Sequence, residues 1–305
     1  EHERLVYPLV QLPISMIQND DGRPSIISPF FKNPLMWAGF AIPAILQTLN
    51  GLHHYYPSIP SFSLYGLSIP LFRDSVSIPL NLSFQMLGFS YFINKDIALG
   101  LVFFYLLNTV QQGIFNTLGL QEVDSVLGPY SSYTGSIIVH QGFGAMMMLV
   151  VFGLWTARRH LKGVWLAAIG RGGSDDSGEI MSYRASLLVL VGSLIFMGVW
   201  LFQSGLPGWI TPIYVGLAFL LFIGITRVVA EGGLGVIRPQ MTAQPIVINF
   251  LGSAAVGASG IFGLALTFSW AGNLRLGVMA SAIHGMKLAE RVGELRRPLF
   301  WAMLL

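Results

Sequence analysis

The 305-residue sequence contains no cysteine and few charged residues. Without cysteine, the chain can form no disulfide bond, no cysteine-ligated iron–sulfur cluster and no covalent attachment to haem. Charged residues make up only 10% of the sequence, whereas an average soluble domain carries about 25%. This composition excludes an ordinary soluble globular protein.

The motifs of common catalytic and nucleotide-binding sites are also missing. The glycine-rich segment Gly170–Gly178 lacks the Gly-x-x-x-x-Gly-Lys-Ser/Thr spacing of a phosphate loop, and no HExxH or Ser/His/Asp pattern occurs. We therefore expect a protein that is not an enzyme, with no catalytic residue, no cofactor and no metal site. A net charge of +3, with the cations gathered in a few loops, does not indicate nucleic acid as a partner.

What the sequence has in abundance is apolar residues, which form 53% of the chain. A helix needs about 20 apolar residues to cross a bilayer. We predict an all-α fold, a polytopic transmembrane helix bundle with about seven to nine membrane segments, some short or broken. The predicted segments are Asn33–Gly51, Ile97–Leu118, Gly135–Trp155, Ala185–Gln203, Trp209–Thr226, Ile246–Ser269, the weaker Asn273–Leu288 and a last one starting at Pro298. Asn81–Asn94 is also apolar but short for a simple span, so it is interpreted as a half-helix or a steeply buried helix.

Positive charge predicts the orientation of these segments. The loop 156–184 carries five Lys or Arg residues and the segment 287–297 carries four, so both are expected in the cytoplasm. The loop 51–80 then lies outside, provided that Asn81–Asn94 crosses. This loop contains Ser-Ile-Pro three times, which predicts an extended or turned backbone because proline disrupts a helix interior.

The whole chain, 1–305, is expected to be a single transmembrane domain with a cytoplasmic lead-in at 1–32. It begins at Glu1 rather than at methionine and ends within the apolar run Pro298–Leu305. We therefore expect it to be an internal fragment of a longer protein.

Five stretches in order along the chain carry a resemblance to known proteins, namely Arg4–Pro13, Leu49–Pro60, Thr226–Leu234, Gly272–Arg275 and His284–Glu290. Together they resemble a bacterial family of large polytopic membrane proteins of unassigned function, which is distantly similar to the oligopeptide transporter (OPT) family. The resemblance implies a transporter-like fold in the bacterial inner membrane, and it supplies neither a substrate nor a binding residue.

The most informative ionisable residues are Arg227 and Glu231, which stand four residues apart at the end of an apolar segment and directly before Gly232 and Gly233. Ionisable groups at membrane depth are costly and tend to mark a pathway. One interpretation is a structural ion pair at a helix end, with Arg227 reaching towards the membrane surface. The other is a substrate or proton site in which the glycines supply unwound backbone.

Two further groups of polar residues are candidates for the same pathway. Asn50 and His53 stand where the first segment meets the outer loop, either as part of an interfacial belt or in an outer vestibule. His140 and Gln141 open the segment that continues to Trp155. His140 is either hydrogen-bonded within the protein or, because histidine titrates near neutrality, part of a proton-coupled mechanism.

The segment Ile246–Ser269 is rich in small residues, among them four glycines. Small residues allow neighbouring helices to pack closely. A broken helix is the alternative interpretation. The segment Gly232–Gln244 before it is expected to be irregular backbone near the protein centre, because Pro239 and Pro245 oppose a continuous helix.

Together these features predict an OPT-like secondary transporter of a small-molecule or peptide-like solute, with protons as the simplest coupling ion. The alternative is a non-transporting structural subunit of a larger, energy-converting membrane complex. In either case the lipid bilayer is a partner, and a homo-oligomer or a larger membrane complex is compatible with the sequence.

Overall fold

The computed structural model shows a mostly helical chain. The residues that it describes are 7–17, 28–62, 64, 66–120, 135–171, 181–233, 237–272 and 278–292. Within them the helices are α1 (Pro8–Ile17), α2 (Pro29–Lys32), α3 (Pro34–Tyr55), α4 (Phe84–Ser90), α5 (Lys95–Thr117), α6 (Ser136–Thr156), α7 (Arg158–Ala168), α8 (Tyr183–Gln203), α9 (Ile210–Gly232), α10 (Ala243–Leu251), α11 (Ser253–Leu266), α12 (Phe268–Ala271) and α13 (Val278–Val292), and the strands are β1 (Leu67–Leu71) and β2 (Val76–Leu80).

Five helices, α3, α5, α6, α8 and α9, are long and apolar enough to cross a membrane. They coincide with five of the predicted segments, and the chain is a multi-pass membrane protein with a helical fold. A total of seven to nine crossings stays a prediction. The segment expected to start at Pro298 lies outside the described residues.

Helix α4, the helix within Asn81–Asn94, is too short for a complete crossing and corresponds to the interpretation of that segment as a half-helix. Its 7 residues extend only about 10 Å at 1.5 Å per residue, against a hydrocarbon core of about 30 Å. The outer position of the loop 51–80 depended on that crossing, so it stays a prediction without this support.

The segment predicted as one span over Ile246–Ser269 is instead three short helices. Helix α10 ends at Gly252, and α11 contains a second interruption at Gly257. Both glycines have positive φ, 81° and 70°, which residues with a side chain rarely adopt. The interpretation as a broken helix is therefore confirmed.

The predicted cytoplasmic loop 156–184 contains a helix that the sequence analysis did not anticipate. Helix α7 begins after a single residue, Ala157, and packs against α8. Its apolar residues are interleaved with Arg158, Arg159, His160 and Lys162, and the charged run obscured its helical periodicity. The residues 172–180 lie outside the described part of the loop.

Two of the three Ser-Ile-Pro repeats form the antiparallel hairpin β1–β2, in which Ile69 pairs with Ile78. The hairpin rests on α5 of the same unit. The Phe72 ring in the turn lies against Gly113, where a side chain would leave no room, and the Asn116 side-chain amide donates to the Ser75 carbonyl at 2.8 Å. The expectation of an extended backbone in this loop is confirmed.

The chain divides into two compact units. The first comprises Glu1–Leu120 and Ala230–Leu234, and the second comprises Gln121–Val229 and Gly235–Leu305. In the second unit, the apolar core gathers around Tyr214, Leu221, Met241 and Leu264, all of which are almost completely buried.

Helix α9 is the most enclosed of the five long helices. Half of its apolar window is buried, compared with 6% for α8 and none for α3. Since α9 contributes Tyr214, Ala218 and Leu221 to the core of the second unit, polar residues that face the same core are shielded from lipid. These residues define the candidate site.

Candidate functional site

Among the described residues of the second unit, four polar side chains are no more than 1% exposed: Tyr214 of α9, Thr242 and Gln244 at the start of α10, and Thr267 after α11. The Gln244 side-chain nitrogen donates to the Tyr214 hydroxyl at 3.2 Å and to the Thr267 hydroxyl at 2.8 Å. Thr267 in turn donates to the Leu264 carbonyl at 2.6 Å. We call these four residues the polar cluster.

Two oxygen atoms of the polar cluster are buried and make no hydrogen bond with the described residues. They are Gln244 Oε1 and Thr242 Oγ1. A buried polar atom without a partner costs about 1–3 kcal/mol, and most such atoms in folded proteins are satisfied. Each of the two atoms can therefore accept a hydrogen bond from a polar group that reaches it, and the Thr242 hydroxyl can also donate one.

The backbone around the polar cluster is interrupted on the side of α10 and α11. The residues 237–242 have no regular structure, although Pro239, Met241 and Thr242 are buried. Backbone of this kind is tolerated at membrane depth only where protein or a water-filled cavity surrounds it. The irregular backbone expected before α10 is confirmed, while Gln244 itself lies within the helix.

Close packing accompanies these breaks. A Cβ atom at Gly260 would lie 3.1 Å from Pro207 Cδ, and one at Gly263 would lie 3.1 Å from the Leu206 backbone nitrogen. The glycines of α11 therefore admit the tight turn between α8 and α9. Both interpretations of this glycine-rich segment, close packing and a broken helix, therefore apply. Gly252 and Gly257 break the helix, whereas Gly260 and Gly263 permit close contact.

Arg227 is half-buried in α9, and its guanidinium lies against Gly153 of α6. The absence of a side chain at Gly153 provides the space for this group. Arg227 therefore points towards α6 within the second unit and does not belong to the polar cluster.

Glu231 and Gly232 form the last residues of α9, which continues through Arg227 as a helix. Glu231 is half-buried and Gly232 is buried. Gly233 follows with φ of 63°, the left-handed conformation that commonly ends a helix. The helix break expected at these glycines is confirmed, and the role of Arg227, Glu231, Gly232 and Gly233 in a substrate path stays a prediction.

Asn50 and His53 hold the loop that follows α3. The Asn50 side chain donates to the Phe62 carbonyl at 3.1 Å and accepts from the Phe62 amide at 2.8 Å. The His53 Nδ1 atom lies 2.5 Å from the Ile59 carbonyl oxygen. Both side chains thus form hydrogen bonds with backbone groups of the loop. Their part in an outer vestibule stays a prediction.

Replacing Asn50 with alanine is expected to loosen this loop. Both hydrogen bonds to Phe62 would be lost, and each contributes about 1 kcal/mol, so the Phe62 amide should exchange its hydrogen about fivefold faster or more. Hydrogen-exchange mass spectrometry of the full-length protein would measure this. Gln47→Ala, an exposed position one turn earlier, is the matched control, and equal exchange in both variants would contradict the anchoring role.

His140 of α6 lies between a backbone group and α10. Its Nδ1 atom is 2.8 Å from the Ser136 carbonyl oxygen, and its Nε2 atom is 3.5 Å from the Asn249 side-chain nitrogen. A neutral ring that carries its proton on Nδ1 satisfies both neighbours, because the carbonyl only accepts and the amide nitrogen only donates. Gln141 is exposed. Among the described residues, no group of three or more His, Asp or Glu side chains could hold a metal ion.

A cavity of about 630 Å³ lies along α8 and α9. Its walls include Leu194, Val199, Phe202 and Phe219, and Thr211 contributes its one hydroxyl-bearing side chain. Such a lining suits lipid chains or another apolar group. Neither Glu231 nor any residue of the polar cluster lines this cavity.

Sequence reasoning missed the polar cluster. Its residues are single polar positions within apolar segments, and such positions usually make ordinary contacts between helices. The usable signal was the sequence Thr242-Ala-Gln244-Pro245 between two helix-breaking stretches. That pattern places polar side chains where a helix restarts.

The chain matches, over residues 1–305, the model of a family of unknown function, DUF6785, and it belongs to that family. No curated protein matches the chain significantly. No solved structure matches it significantly either.

Proposed function

We propose that this member of the family is part of a secondary transporter, and that a small polar or peptide-like solute passes through the second unit by way of the polar cluster. The observation that carries the proposal is the pair of buried oxygen atoms, Gln244 Oε1 and Thr242 Oγ1, without a hydrogen-bond partner among the described residues. A passing solute with N–H or O–H groups would satisfy both.

The broken helices support the same proposal. Transporters often place their binding sites at interrupted helices near the middle of the membrane, where free backbone groups meet the substrate. Here the chain is interrupted between α10 and α11 at Gly252 and within α11 at Gly257, and two members of the polar cluster, Thr242 and Gln244, lie at the start of α10. The glycines also supply the backbone freedom that a change between two states of access requires.

The chemistry of the polar cluster favours a neutral or zwitterionic solute with hydrogen-bond donors. The cluster contains an amide, two aliphatic hydroxyls and a phenol, and it has no charged member. A peptide-like solute suits these groups because its amide N–H groups can donate to Gln244 Oε1. Under this proposal Glu231, at the end of the same helix as Tyr214, is the candidate carrier of a coupling proton, as carboxylates commonly are in membrane transporters. An OPT-like architecture in the bacterial inner membrane remains part of the proposal.

The proposal is tested by uptake into vesicles. The full-length protein would be reconstituted into proteoliposomes with an imposed proton gradient and offered amino acids, dipeptides and tripeptides, with mass spectrometry of the vesicle contents as the readout. We expect at least one of these classes to accumulate, and to do so less when the gradient is collapsed. If none accumulates and none raises the unfolding temperature of the purified protein, the proposal is wrong.

A structural subunit of a larger membrane complex is the second candidate function. The observation that favours it is the exposure of α3, whose apolar window has no buried residue. Partner chains would cover such a helix in a complex. Purification from native membranes in a mild detergent distinguishes the two, because a structural subunit should elute with stoichiometric partner proteins and should transport nothing in the uptake assay.

A further inference from the structure

Helix α7 has two faces of different character. The half-buried residues are Gly163, Val164, Ala167 and Ala168, which repeat at the helical spacing of one face. Helix α7 packs against α8, and these small side chains suit a close approach of two helices. The other face is left exposed.

The exposed face carries a stripe of large apolar side chains. Leu161, Trp165 and Ile169 follow one another at intervals of four residues, and they are 46%, 53% and 52% exposed. Trp155 at the end of α6 is exposed as well. A helix surrounded by water would gain by burying such residues, whereas tryptophan and leucine beside cations are typical of a helix that lies at a membrane surface.

Exposed cations flank this stripe. Arg158 donates to the Trp155 carbonyl at 2.8 Å and lies 4.6 Å from the centre of the Trp155 ring. Arg159 and Lys162 are exposed on α7. The described residues 135–171 and 181–230 contain no Asp or Glu, and the nearest acids in the chain, Asp175, Asp176 and Glu179, lie outside the described residues.

The far end of α7 is fixed to α8. Gly170 follows α7 with φ of 83°, and the Arg184 guanidinium from the start of α8 lies against it. A cation at the C-terminal end of a helix is stabilised by the helix dipole. Helix α7 is thus attached at one end to α6 and at the other to α8, two of the long apolar helices, which keeps it close to the bilayer.

We propose that α7 lies at the membrane surface and binds the phosphate groups of anionic phospholipids through Arg159 and Lys162, with Leu161, Trp165 and Ile169 in the upper acyl region. Charge complementarity selects the lipid, because a basic surface near a membrane attracts anionic headgroups. The positive charge of this loop predicts a cytoplasmic position. The inference holds whether or not the protein transports a solute.

The position of α7 is tested by tryptophan quenching. The full-length protein would be reconstituted in lipids brominated at shallow or deep acyl positions, and the fluorescence assigned to Trp165 would be obtained by difference from Trp165→Phe. We expect shallow bromines to quench Trp165 more strongly than deep ones. Absence of quenching would place α7 in water and overturn the proposal.

The headgroup preference is tested by native mass spectrometry after release from mixed micelles of phosphatidylglycerol and phosphatidylcholine. We expect the wild type to retain the anionic lipid. The variant Arg159→Gln/Lys162→Gln should retain about 25-fold less, since each of the two basic residues near an anionic surface favours binding by about fivefold. Arg73→Gln/Lys95→Gln, which removes two exposed cations of the first unit, is the matched control.

A charge-retaining variant, Arg159→Lys/Lys162→Arg, separates charge from folding. It should keep the preference for phosphatidylglycerol because headgroup attraction depends mainly on charge. Equal retention of the two lipids by the wild type, or equal losses in the α7 variant and the control, would overturn the proposal.

Discussion

Replacing Gln244 with leucine should abolish solute binding while changing the stability of the protein little. Leucine removes two hydrogen bonds, to Tyr214 and Thr267, each worth about 0.6 kcal/mol on average in a membrane protein. It also removes the buried Oε1 atom without a partner, which costs about 1–3 kcal/mol. The opposing contributions nearly cancel, so the unfolding temperature should move by less than about 4 °C.

The small change in unfolding temperature is informative because it separates a loss of solute binding from a loss of folded protein. If Gln244 were only a structural contact, solute binding would fall no further than the amount of folded protein. Gln203→Leu at the exposed end of α8 is the matched control and should bind solute normally. Solute binding by Gln244→Leu at wild-type affinity would remove the polar cluster from the proposed path.

Replacing Gly263 with leucine should destabilise the protein clearly. A Cβ atom there would lie 3.1 Å from the Leu206 backbone nitrogen and 3.3 Å from Leu206 Cβ, and the backbone of a tight turn between two long helices cannot easily retreat. Overpacking of this kind typically costs about 1–3 kcal/mol, and a longer side chain raises the cost. Thermal unfolding of the purified full-length protein would measure it.

Gly192→Leu in α8 provides the comparison. A Cβ atom at Gly192 would meet nothing within 4 Å, and leucine is a better helix former than glycine. We therefore expect this control to unfold at or above the wild-type temperature. Similar losses in the two variants would show that the turn between α8 and α9 adapts to a side chain at Gly263, and the close-packing role of that glycine would be wrong.

The sequence alone predicted the long helices well. Each of α3, α5, α6, α8 and α9 is found within a few residues of its predicted segment, because about 20 apolar residues in a lipid environment leave the backbone almost no alternative to a helix. The helix break after Glu231 was also predictable, since consecutive glycines followed by two prolines oppose a continuous helix.

The candidate site depended on tertiary structure. Tyr214, Gln244 and Thr267 are separated by 30 and 23 positions in the chain, and no local pattern indicates that they share hydrogen bonds. Asn50 and His53 are the opposite case, because the sequence indicated them as site residues whereas the structure shows that they form hydrogen bonds with the backbone of a neighbouring loop. A side chain's polarity is encoded locally, whereas its partners are decided by which helices pack together.

What the sequence by itself determined is the membrane environment and the position of the long helices, because hydrophobic burial in lipid acts on each segment separately. Only the tertiary structure decided that α9 lies at the core of the second unit, that α10 and α11 are interrupted beside it, and that two polar oxygen atoms there are left without a described partner. These properties arise from packing between segments that are distant in the chain. Each such contact depends on the residues of both segments, so neither segment predicts it alone.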